Sequence, residues 1–226
     1  NGMTDGLKLL IDGDPLVLDA AWRSIWVSVT AVFIASILGI SIGTYLARHK
    51  FRGRRAIVIF FRGSMGVPTV LIGLIGYALL SRNGMLGDLD LLFTSWGIVF
   101  GECLLAIPII VSLTHGSISN MDYRISETAM LLRVSRWRRW MTYLNECRLA
   151  VTLAVLTAFA RCFTELGIAV MVGGNLKMKT RTLSTSTALE TAKVDFSRAV
   201  AMSFILLAIA ILVTIVIGVL NREDKD

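Results

Sequence analysis

Long apolar stretches separated by short polar links run through the sequence. A helix needs about 20 consecutive, mostly apolar residues to cross a bilayer. The pattern predicts five spans, at about 25–47, 63–81, 96–113, 149–172 and 199–220. Ahead of the first, residues 15–26 (PLVLDAAWRSIW) place apolar side chains at helical spacing and end in tryptophans, which predicts an interfacial helix leading into the membrane. Gly39 and Gly43 stand in GxxxG spacing, so another helix can approach span one closely. Pro68 in the second span and Pro108 in the third predict kinks. A kinked membrane helix either lines a cavity or serves packing alone, and both readings stand.

The polar links set the expected orientation, because lysine and arginine in short loops stay on the cytoplasmic side. The link between spans one and two holds Arg48, Lys50, Arg52, Arg54, Arg55 and Arg62; the link at 121–148 holds Arg124, Arg133, Arg136, Arg138, Arg139 and Arg148. Both belong inside, which puts the N-terminus outside and the C-terminus inside. The external loop at 173–198 is then basic as well, with Lys177, Lys179, Arg181, Lys193 and Arg198 against Glu190 and Asp195. Attraction of an anionic solute and plain interfacial anchoring explain it equally well.

Composition agrees with an all-α integral membrane protein built as one transmembrane domain over 1–226. Of its 226 residues 55% are hydrophobic, and the formal net charge is +7; the mean hydropathy is +0.70. The basic residues gather between apolar segments rather than along one soluble face, so nucleic acid is not an expected partner. Cys103, Cys147 and Cys162 lack CxxC or Cys/His spacing, and no metal site is expected. The opening NGMTDGLKLL lacks the basic start and apolar core of a cleavable signal peptide. No Gly-rich phosphate loop occurs, so nucleotide-driven work requires a partner.

Glu102, Arg161 and Glu165 are ionisable residues inside apolar runs. A charge there costs at least about 2.5 kcal/mol on insertion scales, so each should face the bundle interior and find a partner. Arg161 and Glu165 are four apart and can pair on one helix; either they tie helices together or they touch a solute. Beyond them, Gly173, Gly174 and Asn175 should end the fourth span. The segment that follows is rich in hydroxyls, among them Thr180, Thr182 and Ser184, with Arg181 between. It reads as a polar loop or as neutral ligands for an oxyanion. In the link at 121–148, Asn120 or Asp122 can cap one short helix and Ser135 a second beginning RWRRWMTYL. This rigid helical protrusion suits anionic lipid or a protein groove.

The segment ETA at Glu127–Ala129, a turn, and LNECR at Leu144–Arg148 resemble the Glu-Ala-Ala loop of ABC importer permeases. The resemblance extends to DGDPLVLDAAWRSIWVSVTA, GVPTVLIGLIGYALLSRNGMLG, LAIPII, ELGIAVMVGGN and TRTLSTSTALETAK, which look like the permease subunit of tungstate importers, with molybdate and sulfate permeases as near relatives. It implies a type I importer permease fold and a homodimer in the cell membrane. ABC ATPase subunits would sit beneath it, an external solute-binding protein above, and lipid around it. It further implies coupling to the ATPase through Glu127, Thr128, Ala129, Arg133, Ser135, Arg136 and Trp137. The path or gate would involve Pro68, Glu102, Pro108, Arg161, Glu165, Gly173, Gly174, Asn175, Thr180, Arg181, Thr182 and Ser184. The chain itself would bind no cofactor, ATP–Mg belonging to the partner. Arg133 stands where the family usually has Gly at the turn, Asn145 near a usual Pro, Met85 where Pro is frequent and Glu102 where Gln is more usual. An ion-coupled carrier using Glu102, Arg161 and Glu165 as a relay is the competing expectation.

Overall fold

The computed structural model describes residues 14–121, 135–193 and 196–222. Among them every regular element is helical: α1 (Pro15–Arg48), α2 (Arg54–Ser64), α3 (Thr69–Leu80), α4 (Ser95–Asn120), α5 (Arg136–Glu146), α6 (Arg148–Phe163), α7 (Gly167–Gly173), α8 (Leu183–Ala192) and α9 (Phe196–Arg222), with a 3-10 turn at Gly87–Leu89. Of the expected coupling loop, the first helix with Glu127, Thr128 and Ala129 and the turn at Arg133 lie outside the described residues.

Helix α1 begins where Asp14 Oδ1 accepts from the Leu16 amide at 2.8 Å and Pro15 occupies the first turn, where no backbone donor is needed. It then runs unbroken for 34 residues, about 51 Å at 1.5 Å per residue. Residues 15–26 are therefore the opening turns of the same helix that makes the first span. Arg23 is held by Asp19 at 2.7 Å and donates to the Lys179 carbonyl. Val17 and Ala20 are buried against Phe163, Leu183 and Met202, so these turns pack on protein.

The most extensive helix pairing is α1 with α4, and the glycines expected at a close approach are there. A Cβ on Gly39 would lie 2.8 Å from Ile110 Cγ2, and one on Gly43 would lie 2.9 Å from both Thr114 Cβ and the Val111 carbonyl oxygen. Helix α4 is continuous through Pro108, which is buried within it.

Helices α1, α4 and α9 are long and apolar enough to cross a membrane; two further crossings arise if each bent pair counts as one span. The first pair, α2 and α3, is bent by 107°. Pro68 sits at the N-cap of α3, outside the helix interior in which the sequence places it. Helix α2 buries none of its residues and exposes Ile57, Ile59 and Phe60 alongside three arginines, the make-up of an amphipathic surface helix. The second pair, α6 and α7, is bent by 60°. The short α7 lies at the centre of the core: Ile168 and Val172 are fully buried, and Gly73, Gly76 and Gly101 of the flanking α3 and α4 meet them at contact distance.

The links gather at two ends. One end, here the basic end, brings together Arg48, Arg54, His115 and Tyr143. The other joins the start of α1, the start of α4, the loop after α7, and α8. There Leu183 N donates to Ser24 Oγ at 2.8 Å and Arg198 pairs with Asp14 at 3.2 Å.

Candidate functional site

At the basic end, Ser135 caps α5 as expected, its Oγ accepting from the Arg138 amide at 3.4 Å. Helix α5 has two faces. Tyr143 is buried, and the Arg48 guanidinium lies 4.3 Å above its ring, a cation–π contact that ties α5 to the end of α1. Trp137 is 65% exposed and stacks on Trp140 at 4.9 Å, with Arg138 and Met141 also facing outward. Arg54 braces the neighbouring junction: it donates to the carbonyls of Leu46 and Ala47 at the end of α1 and contacts His115 Nε2 at 3.3 Å.

The three ionisable residues of the apolar runs differ in their surroundings. Glu102 is buried in α4 inside the subunit, with the Ser28 hydroxyl hydrogen-bonded to its carboxyl and its Oε2 without a partner among the described residues. Arg161 and Glu165 do pair, Nη1 to Oε2 at 3.7 Å, yet their surroundings differ sharply: the Glu165 side chain is 2% exposed and that of Arg161 is 48% exposed. Glu165 Oε1 accepts from the backbone of Gly167 at 2.8 Å and Ile168 at 3.3 Å. It therefore caps the half-helix α7 across the break while its other oxygen faces Arg161, a dual role that i,i+4 spacing alone does not reveal.

Two neighbours of Arg161, Thr157 and Thr164, escape the sequence reading. Thr157, Arg161 and Thr164 are all exposed and fall on one face of α6 and its continuation. Each threonine donates to a backbone carbonyl one turn back, Leu153 at 2.7 Å and Ala160 at 3.0 Å, leaving oxygen lone pairs outward. Arg161 stands about 20 Å along the helix from Arg148, and the stripe falls within the bent α6–α7 pair that is apolar enough to count as one span. The signal was present as hydroxyls at helical spacing from an arginine.

At the opposite end the chain turns at Gly174, with φ 69°, and Asn175, with φ 50°, so GGN ends α7 as the sequence indicates. The hydroxyls that follow point inward. Thr180, fully buried, donates to the Gly173 carbonyl at 2.6 Å and accepts from Leu176 N at 2.9 Å. Thr182 and Thr185 form a reciprocal capping box on α8. Arg181 reaches back to Asn175 Oδ1 at 3.2 Å. Ser184 is buried, its hydroxyl without a partner among the described residues. This segment is an internally bonded knot packed on α1, in place of a solvated loop.

Long apolar helices, two bent helix pairs and a basic helical platform at one end are the features of an integral membrane protein. The chain belongs to the family of binding-protein-dependent transport system inner membrane components, which it matches over residues 23–223. It is 33% identical over 222 residues to the tungstate uptake system permease protein TupB of Campylobacter jejuni, covering 98% of this chain and 93% of that protein. It is 31% identical to TupB of Peptoclostridium acidaminophilum, covering 98% and 97%. Sulfate and molybdate permeases are more distant relatives. The fold matches a chain of a bacterial alginate ABC transporter, solved in complex with an alginate pentasaccharide-bound periplasmic protein. The TM-score is 0.76 over 97% of this chain and 83% of that one, at 12% sequence identity.

Proposed function

We propose that this chain is the membrane-spanning subunit of an ATP-driven importer that moves an oxyanion, tungstate in the first place, into the cell. The likeness to tungstate permeases along almost the whole chain carries the reading. Counting each bent pair as one span gives five crossings. The gathering of Arg48, Arg54, Arg138 and Arg139 at one end favours that end as cytoplasmic, with the N-terminus outside. Two copies enclose the path, and the exposed Thr157–Arg161–Thr164 stripe supports α6 as its lining, since a guanidinium facing lipid at that depth is costly. A binding protein docks at the external end, and a separate ATPase docks on the outer face of α5 and the coupling loop. ATP is bound and hydrolysed there, and alternating access follows.

The test reconstitutes the chain with its ATPase and binding protein in liposomes. ATP hydrolysis should rise when the binding protein carries tungstate, and rise less with molybdate or sulfate. Absence of any complex with an ATPase overturns the reading, and an equal or larger response to molybdate or sulfate overturns the choice of tungstate.

A further inference from the structure

We propose that the cleft between α1 and α5 at the basic end is a binding site for the phosphate headgroup of an anionic phospholipid, which ties the helical platform to the first span. The cleft has a volume of about 620 Å³, and its lining includes Tyr45, Arg48, His49, Arg139, Trp140 and Tyr143. No carboxylate lines it among the described residues. Arg48 contacts the Tyr143 ring and the Met121 sulfur, while its Nε is buried without a hydrogen-bond partner among the described residues. Neither Arg48 nor Arg139 has an ion-pair partner among those residues. Partly desolvated guanidinium groups without a counter-charge call for an anion, and paired arginines suit phosphate oxygens.

The choice of a lipid over a free oxyanion rests on the surface that leads into the cleft. Ile34, Leu38, Ser41 and Tyr45 are exposed and follow one another at helical spacing along α1, directly toward Arg48. From Ile34 to Arg48 the helix advances about 21 Å, enough for an acyl chain to lie along the stripe while its phosphate meets the arginines. Tyr45 and Trp140 stand where aromatic side chains mark the headgroup level. A lone tetrahedral oxyanion would fill a small part of the cleft and leave the stripe unused. The lipid bridges Arg48 on α1 and Arg139 on α5, so the position of the platform depends on it.

The full-length chain, purified and delipidated in neutral detergent, is titrated with phosphatidylglycerol or phosphatidylcholine, and bound lipid is counted by native mass spectrometry. Phosphatidylglycerol should be retained over phosphatidylcholine by at least about tenfold. Arg48→Ala with Arg139→Ala should abolish that preference, whereas Arg52→Ala with Arg55→Ala, an equal charge loss at the same end outside the cleft, should keep it. Equal loss in both pairs makes the attraction diffuse and overturns the site. Displacement of the lipid by sodium tungstate or phosphate makes it a soluble-anion site and overturns the lipid. Unchanged lipid retention with loss of the dimer in the Arg48/Arg139 variant makes the cleft a contact between copies and overturns the proposal. Should that variant fail to fold, hydrogen exchange on the wild-type chain decides: phosphatidylglycerol should slow exchange in 41–49 and 139–143, and no change overturns the proposal.

Discussion

Glu165 holds Arg161 at 3.7 Å with one carboxylate oxygen and caps α7 with the other, so the charge pair and the helix break share a single buried side chain. Glu165→Gln keeps an oxygen acceptor for the Gly167 and Ile168 amides but removes the charge facing Arg161. Its thermal unfolding in detergent should stay close to wild type while oxyanion uptake in liposomes falls several-fold. Glu165→Ala removes the cap as well and should cost about 1–2 kcal/mol in stability. Unchanged uptake in Glu165→Gln would confine the pair to holding the break together.

Gly43 is the less forgiving of the two glycines in the α1–α4 seam, because an added methyl would press on the backbone oxygen of Val111 as well as the Cβ of Thr114. Gly43→Ala should therefore separate the helices and cost about 1–3 kcal/mol, as overpacking does. At Gly39 the obstacle is the Ile110 side chain alone. The cost of Gly39→Ala should shrink in an Ile110→Ala background, which removes the Cγ2 standing nearest, whereas no neighbouring side-chain truncation should rescue Gly43→Ala. Unfolding midpoints of the variants in one detergent check the contrast.

Features of the fold that depend on local spacing were legible in the sequence. Ser135 before RWRRW, the GGN stop, the GxxxG seam and the Arg161–Glu165 pair each follow from residues within about one or two turns. What was not legible depends on distant partners. Residues 15–26 read as an interfacial helix ahead of the first span, yet the chain brings Ser95 and the Lys179 carbonyl to Arg23, and α1 continues through. The segment that carries Thr180 and Thr182 reads as a polar loop because the bond that docks it on α1, from Leu183 N to Ser24 Oγ, spans a long stretch of sequence. The same holds for Pro68: its capacity to break a span was readable, but its place at a 107° elbow after an amphipathic surface helix was not. Glu102 is buried in α4, and which face of α4 meets α1 is set by packing that the sequence alone does not show.

Thr180 supports the external end by donating to Gly173 and accepting from Leu176. Thr180→Val keeps the shape and loses both bonds, leaving the Leu176 amide without its acceptor and the Gly173 carbonyl without this donor, and should destabilise the protein by about 2 kcal/mol. Thr180→Ser should recover most of that loss, because the hydroxyl is what the turn uses. If Thr180→Val unfolds with wild type and only uptake falls, the hydroxyl acts on the solute instead.

The outer face of α5 makes a prediction about assembly. Trp137 is exposed, rigidly stacked on Trp140 and flanked by Arg138, the combination of aromatic anchor and arginine that concentrates binding energy at protein interfaces. Trp137→Ala should weaken association with the ATPase by about 2 kcal/mol, or roughly thirtyfold in Kd, with unfolding of the membrane body unchanged because Tyr143 and Arg48 hold α5 from the other side. Glu127→Ala and Arg133→Glu, in the part of the coupling loop outside the described residues, should uncouple or dissociate the ATPase in the same way. Co-purification of the ATPase and its stimulated hydrolysis are the measurements. Intact coupling in all three variants would move the docking surface away from this helix and its loop.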